Sequence, residues 1–261
     1  MGVLSAGILK EALFPIPPTL DEQRAIAQAL SDADALVEAL ERLIAKKRLI
    51  KQGAMQELLS PKFSWVARAL DEVADVIDPH PSHRAPAEYA NGVPFLGIGD
   101  LSESGEIIGT KLRRVHPSVL DEHAARYNTN DNLIGLGRVA SIGKVVRIKP
   151  QSESYLISPT LGIIKARFTD PDYIYHYLLS RNVSDQFAKI MSGSTRSSVG
   201  MIVLRKLEIK LPPSHEEQTR VATVLSDMDA EISALEAKLA KARQIKQGMM
   251  QQLLTGKIRL V

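Results

Sequence analysis

Two stretches, one near the start of the chain and one at its end, place apolar residues alternately three and four positions apart. The large apolar residues are Ile26, Leu30, Val37, Leu40 and Ile44 in the first stretch, where Ala33 occupies the position between Leu30 and Val37, and Val221, Leu225, Met228, Ile232, Leu235 and Leu239 in the second. An average spacing of 3.5 residues is typical of the seam of a coiled coil. The pattern predicts two long helices that pack against each other, each a rod of roughly 60 Å at about 40 residues.

The two stretches are copies of one another. With an offset of 195 positions, residues 17–59 align with residues 212–254 and share 24 identical residues in 43 positions. Each copy begins with a Pro-Pro pair followed by a capping box, Thr19 with Glu22 and Ser214 with Glu217, which predicts where each helix begins. The sequence therefore contains an internal duplication of a helical unit.

The segment between the copies has a different pattern, with short apolar runs interrupted by glycine and proline, as in residues 92–100 and 142–148. Such runs favour a mixed, strongly curved sheet, and residues 172–191 predict one helix with an apolar face. The fold class that we predict is α+β, with one compact α/β domain inserted between two long helices forming an antiparallel coiled coil. The predicted boundaries are 17–60 for the first helix, 61–211 for the domain, and 212–261 for the second helix and tail.

Several kinds of protein are excluded by what the sequence lacks. It has no cysteine, so a disulfide framework and cysteine-based metal sites are ruled out. No apolar run is long enough to span a membrane and no secretion signal precedes the first helix, so we expect a cytoplasmic protein. The glycine pairs at 97–99 and 135–137 precede no helical pattern, which indicates turn glycines and no cofactor loop. His80 and His83 have no third metal ligand nearby in the sequence, so we expect them in a solvated loop and predict no metal site. The sequence contains no catalytic motif, so we also predict no catalytic residue.

Polar and basic residues in the middle segment are the candidates for function. Arginine can pair with guanine through two hydrogen bonds, and lysine, serine and threonine can hold phosphates. The candidate DNA-binding residues are Arg84, Lys111, Arg113, Arg114, Arg138, Lys144, Ser194, Thr195 and Arg196. A single residue of this kind is more often a solvated surface charge. The net charge of +3 permits an anionic partner without requiring one.

Sequence motifs in all three segments resemble those of type I restriction–modification specificity (S) subunits. The motifs are the Pro-Pro-x-x-x-Glu-Gln start of each helix, the repeated Ile-Lys-Gln-Gly-x-Met-Gln-x-Leu-Leu near its end, and the tail 254–260. Residues 94–100, 141–145 and 193–196 resemble parts of that family's target-recognition domain. The resemblance covers nearly the whole chain.

The resemblance implies a non-catalytic subunit that binds double-stranded DNA and directs adenine methylation and restriction. The partners that it implies are methyltransferase (M) subunits, which use S-adenosylmethionine, and a restriction (R) subunit; no cofactor is expected in this chain. The helices would separate two target-recognition domains and dock the methyltransferase subunits. A competing interpretation is a coiled-coil scaffold, or an inactive or silent specificity fragment, without DNA recognition of its own.

The sequence departs from the family pattern because it holds one complete domain. Residues 14–16 align with residues 209–211 under the same offset, so residues 1–16 are interpreted as the remnant of a preceding target-recognition domain. Two assemblies stay open. The chain could pair its two helices internally as a monomer and read one half-site, or a second copy of itself could supply a second domain and a symmetric split target.

Overall fold

The computed structural model describes residues 16–80, 85–192 and 198–260. Two helices of 39 residues dominate it, α1 at Leu20–Leu58 and the last helix of the chain at His215–Leu253. The chain divides into two compact units, a helical unit that includes residues 16–52 and 227–260 and a domain of residues 53–226. The predicted fold class is confirmed.

Both helices begin where the capping boxes predict. The Thr19 hydroxyl accepts a hydrogen bond from Glu22 N at 3.2 Å, and the Ser214 hydroxyl accepts one from Glu217 N at the same distance. The carboxylate of Glu22 binds Arg259 with two hydrogen bonds, and this guanidinium lowers the pKa of Glu22. Within the domain, Glu217 forms the corresponding ion pair with Lys62 at 3.4 Å.

Ion pairs across the helical unit show that its helices are antiparallel. From the first pair along α1 to the last, the number of the partner falls from 246 to 229. The pairs are Asp34–Lys246, Glu41–Arg243 at 2.6 Å, Lys47–Glu231 at 2.6 Å, Arg48–Glu236 at 2.6 Å and Lys51–Asp229. Charge explains this direction. In each helix, the half up to Glu41 or Glu236 carries six carboxylates and one arginine, and the other half is basic. Antiparallel pairing sets the acidic half of one helix against the basic half of the other.

The ion pairs also reveal a pseudo-two-fold axis. Adding the repeat offset to one member and subtracting it from the other converts Asp34–Lys246 into Lys51–Asp229, and Glu41–Arg243 into Arg48–Glu236. All eleven residues predicted for the seam are buried or partly buried. Val221 and Leu225 lie in the stretch of the last helix that belongs to the domain, and Leu225 is fully buried there.

The domain contains nine strands and five short helices in its described residues. In chain order they are β1 (Val66–Ala69), α2 (Leu70–Val73), β2 (Ala74–Ile77), β3 (Glu88–Leu96), β4 (Arg114–Val115), α3 (Val119–Ala124), β5 (Leu133–Gly137), β6 (Val145–Ile148), β7 (Leu156–Ile157), β8 (Leu161–Ala166), α4 (Pro171–Leu178), α5 (Arg181–Ser192), α6 (Met201–Arg205) and β9 (Glu208–Leu211). The helix His215–Leu253 is therefore α7.

The strands form three separate sheets, so the prediction of one mixed sheet is wrong. An antiparallel sheet has the order β2-β8-β5-β6, a second has the order β4-β3-β7 with a parallel β3–β7 pair, and β1 pairs only with β9. The main core packs Leu96, Ile98 and Tyr127 with apolar residues of β5, β6 and β8. The apolar runs that indicated one sheet therefore belong to strands of separate sheets.

β1 and β9 join the two ends of the domain. Val66 lies opposite Leu211 and Ala69 opposite Glu208, so the strand that follows α1 runs antiparallel beside the strand that precedes α7. Trp65, just before β1, is buried, and its ring meets that of Tyr173 edge-on with the centroids 6.2 Å apart. We call the β1–β9 pair the neck of the domain.

Two local expectations fail for identifiable reasons. Residues 172–191 form two helices, because Ser180 O accepts hydrogen bonds from the N–H groups of Val183 and Ser184 and starts a new helix. Residues 173–178 are all buried, whereas α5 buries only one face. Gly135 and Gly137, expected in a turn, lie in β5, where a side chain on Gly135 would meet Leu161 at 2.6 Å.

Candidate nucleic-acid interface

Five loops of the domain meet where β5, β3 and β7 end and β8 begins. Thr160 O accepts a hydrogen bond from Arg138 N at 2.9 Å, and the Thr160 hydroxyl accepts one from Ile98 N at 3.2 Å. Arg138 O in turn accepts a hydrogen bond from Val199 N at 2.8 Å. We call this group the loop edge, and it comprises residues 78–80, 97–101, 138–144, 158–160 and 198–200. Loops that a rigid sheet holds together are a common place for binding residues.

Arg138, a predicted DNA contact, is buried inside the loop edge with 9% of its surface exposed. Its Nε donates to Val199 O at 3.1 Å, and its Nη1 lies 3.5 Å from Asp78 Oδ2. The side chain therefore joins the loop that holds Asp78 to the loop that holds Val199. In this arrangement, Arg138 positions the loops, and its contact with DNA stays a prediction.

Lys144 is also engaged within the protein. Its ammonium group donates to Ile98 O at 3.0 Å and to Leu101 O at 2.7 Å, so it holds the short 3₁₀ turn at Ile98–Asp100 against the end of the β5–β6 hairpin. Two carbonyls use two of its three N–H donors and leave one for another partner.

The tip of the β5–β6 hairpin has a strained backbone. Ala140 has a φ of +61°, and Ser141 N donates to Val139 O at 2.7 Å across it, which closes a γ-turn. A side chain on Gly137 would meet Ser141 O at 2.1 Å, so the tip folds tightly back on its own strand. Val139 also forms an isolated β-bridge with Ser198. Strain that surrounding contacts maintain is concentrated at functional sites, which makes this exposed tip a candidate that the sequence pattern did not reveal.

The remaining predicted residues divide into three groups. Arg84, Ser194, Thr195 and Arg196 lie outside the described residues. Next to their segments in sequence are His80 and Ser198, which belong to the loop edge. Arg114 is held by Glu153 at 2.9 and 3.2 Å and by Gly92 O at 2.7 Å, and Arg113 donates to Pro86 O.

Lys111 differs from these arginines. It is exposed and, within the described parts of the chain, forms no hydrogen bond or ion pair. Its segment joins the loop edge through a hydrogen bond from Ile108 N to Asp100 O. Lys189 on α5 and Lys206 after α6 are also exposed, and their ammonium groups form no hydrogen bond or ion pair within the described residues; both were missed as candidates. Both lysines flank residues 193–197, which contain three of the predicted DNA contacts, and this position in the sequence could have identified them as candidates. The structure brings Arg138 and Lys144 together and leaves Lys111 as an exposed cation at the border.

His80 was expected in a solvated loop and is instead buried. Its backbone N–H donates to Asp78 Oδ1 at 3.1 Å, and its ring contacts that of His123 with centroids 5.1 Å apart. Burial, and next the charge of His80, lower the pKa of His123, whose Nδ1 lies 3.2 Å from the Tyr127 hydroxyl. The neutral form of His123 is therefore favoured beneath the loop edge.

In residues 16–80, 85–192 and 198–260, no three histidine, aspartate or glutamate side chains are grouped so that they could hold a metal ion. None of the described helices combines the length and the apolar character that are needed to cross a membrane.

Comparison with known protein families identifies relatives over most of the chain. The model of the type I restriction modification DNA specificity domain matches residues 64–246. The type I restriction enzyme MjaVIII specificity subunit of Methanocaldococcus jannaschii is 26% identical over 276 residues, which cover 97% of this chain and 64% of the relative. The putative type I restriction enzyme MjaX specificity subunit of the same organism is 28% identical over 199 residues, with coverage of 73% and 45%.

Solved structures with the same fold agree with these relatives. An S subunit of a type I restriction-modification system from M. genitalium gives a TM-score of 0.65 at 15% identity, covering 96% of this chain and 65% of that one. The HsdS subunit from Thermoanaerobacter tengcongensis gives 0.55 at 17% identity, with coverage of 99% and 64%. The chain spans less than two thirds of the length of each of these proteins.

Proposed function

Since this chain belongs to the type I restriction-modification DNA specificity family, we propose that it is the subunit that selects the DNA sequence and that it catalyses no reaction itself. Its domain would read one half of a target in double-stranded DNA, in the cytoplasm. Methyltransferase subunits carrying S-adenosylmethionine would methylate adenine there, and a restriction subunit would join them for cleavage. The domain boundaries 61–211 and the remnant 1–16 are part of the same proposal.

The observation that carries DNA recognition is the loop edge. It places an exposed, strained hairpin tip beside Ser198 and close to the segment that holds Lys111. Small hydroxyl side chains can reach base edges, and an exposed lysine can hold a phosphate. The buried Arg138 and the partly buried Lys144 fix the loops, so the edge is organised before it meets a ligand, which lowers the entropy lost on binding.

The helical unit supports the docking of partner subunits. Its pseudo-two-fold axis relates Glu41–Arg243 to Arg48–Glu236, so a surface on one side of the axis has an equivalent on the other. Two copies of one partner could therefore bind equivalent positions. We assign the methyltransferase subunits to these positions.

The sequence repeat also includes residues through which α7 contacts other elements of the domain. Gln218 of α7 accepts a hydrogen bond from Asp170 N at 3.3 Å, and Ser226 lies 3.0 Å from His176 Nε2. The same residue types stand on α1 as Gln23 and Ser31. This identity supports the interpretation of residues 1–16 as the end of a second target-recognition domain.

The experiment is selection of bound DNA from a pool of random duplexes, with the purified chain alone. We expect one short motif to be enriched, and we expect the affinity to fall with salt because phosphate contacts release counterions. Lys111→Ala should weaken binding to all sequences and reduce the salt slope by about 1. Lys238→Ala, which removes a lysine from α7, is the matched control and should change neither quantity.

A second measurement tests the complex. The chain is co-expressed with a methyltransferase subunit of a type I system, and N6-methyladenine is mapped across the host genome. A new methylated motif that contains the selected sequence would support the proposal. Binding without salt dependence or enrichment, together with no new methylation by an active methyltransferase subunit, would identify a scaffold or an inactive fragment.

A further inference from the structure

An exposed apolar stripe runs along α1 at heptad spacing. Leu36, Leu43 and Ile50 are seven residues apart and are 47%, 38% and 46% exposed. Residues at this spacing lie on one side of a helix, so the stripe is continuous over about 21 Å. It is distinct from the α1 seam residues Leu40 and Ile44, which are buried.

The stripe breaks the internal symmetry of the helical unit. The positions of α7 that correspond to Leu36 and Leu43 are Glu231 and Lys238, and Glu231 forms an ion pair with Lys47. A feature required by the pairing of α1 with α7 should occur on both helices, since the pseudo-two-fold axis exchanges them. The third position, Ile50, corresponds to Ile245, which is also exposed, so the two helices differ at the other two positions. The row of three apolar residues occurs on α1 alone, which indicates a contact that only α1 makes.

Charge selects the kind of helix that this stripe fits. The stripe is centred on the boundary of α1 between an acidic half, with six carboxylates and one arginine, and a basic half, with five cations and one glutamate. A parallel copy of α1 would place like charges together, whereas an antiparallel copy places each half beside its opposite. The pairing of α1 with α7 already uses the same rule.

We propose that the α1 stripe is the contact with a second copy of this chain, in which two α1 helices cross antiparallel with their Leu43 side chains at the two-fold axis. Leu36 of one copy then lies near Ile50 of the other, and the four long helices form one bundle. The stripe is short compared with the roughly 800 Å² per partner of a stable interface, so the dimer is a reversible one. The proposal does not depend on DNA recognition, and its test contains no DNA.

The first measurement is the mass of the whole chain in solution, by sedimentation equilibrium from 5 to 200 µM. We expect a rise from the monomer mass of 28.6 kDa towards twice that value. Leu43→Glu removes two leucines from each dimer and should weaken the association about 30-fold or more. Lys238→Glu changes the corresponding position of α7 and should associate like the wild type. Circular dichroism confirms that each variant is folded, and Leu36→Gln provides a milder change in the same stripe.

Cysteine cross-linking tests the orientation, because the chain has no cysteine of its own. Leu43→Cys should form a covalent dimer on mild oxidation, and Lys238→Cys should not. A mixture of the separate variants Leu36→Cys and Ile50→Cys should cross-link to each other more than either does to itself.

A monomer at every concentration, with no dimer from Leu43→Cys, would overturn the inference and leave DNA binding untouched. Loss of methyltransferase-subunit binding in Leu43→Glu, with the mass of the chain unchanged, would also overturn it and assign the stripe to that subunit. Preferential cross-linking of Leu36→Cys with itself would overturn the antiparallel arrangement.

Discussion

Replacing Arg138 by alanine separates the structural role of this residue from its predicted role in DNA binding. The substitution removes the hydrogen bond to Val199 O and leaves the Asp78 carboxylate, which is 16% exposed, without its arginine. Removing one partner of a buried ion pair costs about 3–5 kcal/mol. The contact with Asp78 is long at 3.5 Å and keeps some solvent, so we expect about 2–3 kcal/mol.

The loss is large enough to measure by thermal unfolding. For a domain of this size, 1 kcal/mol lowers the Tm by about 2–4 °C, so Arg138→Ala should lower it by about 5–10 °C. Lys111→Ala, an exposed cation without an ion pair among the described residues, is the control and should shift the Tm by less than about 1 °C. In the double variant with Asp78→Ala, the two losses should sum to less than their separate values. If Arg138→Ala melts like the wild type and loses DNA affinity, Arg138 is not the internal brace inferred from its contacts.

Three further outcomes are expected. Ala140→Gly should raise the Tm by about 1–3 °C. The left-handed backbone costs alanine about 1–2 kcal/mol, and relief of this strain is partly offset by the additional backbone entropy, about 0.5–1 kcal/mol, that glycine loses on folding. A lower Tm would show that the tip is unstrained. Since the pKa of His123 is lowered in the folded domain, the unfolded chain binds more protons below its ordinary pKa of 6.5. The stabilisation by neutral His123 is therefore complete above that pH and is lost as the pH falls below it. In urea unfolding at pH 7, 6 and 5, the free energy of unfolding should fall more steeply for the wild type than for His123→Gln. An equal fall in both proteins would contradict this. Finally, Glu41→Arg and Arg243→Glu should each lower the free energy of unfolding at low salt, and the double variant should recover part of the loss. The expected coupling energy is about 0.5–1 kcal/mol. Additive losses in the double variant would mean that this pair contributes nothing.

The long helices could be predicted because their signals are local and occur twice. The capping residues Thr19 and Ser214 and the 3.5-residue spacing depend only on neighbours along the chain, and the repeat provides each signal a second time. The break at Ser180 was missed because the apolar residues of two successive helices can be read as one face. Only burial on all sides of residues 173–178 distinguishes α4 from α5.

The candidate site was less predictable for a physical reason. A basic residue that binds DNA and one that braces a loop have the same side chain, and the sequence does not show which carbonyls lie near it. Arg138 is joined to Val199, 61 positions away, and Lys144 to Ile98, 46 positions away. These partners meet only after three sheets have packed, so the residue types could be selected from sequence but their burial could not.

The neck has a consequence for how such proteins can change. Because Val66 and Leu211 lie opposite each other, the first and last strands of the domain are neighbours, and the chain enters and leaves the domain's sheets on paired strands. A different domain whose first and last strands pair in the same way could replace this one while the seam and the ion pairs of the helices stay the same. Recombination within the two copies of the duplicated helix would then exchange the domain as one unit.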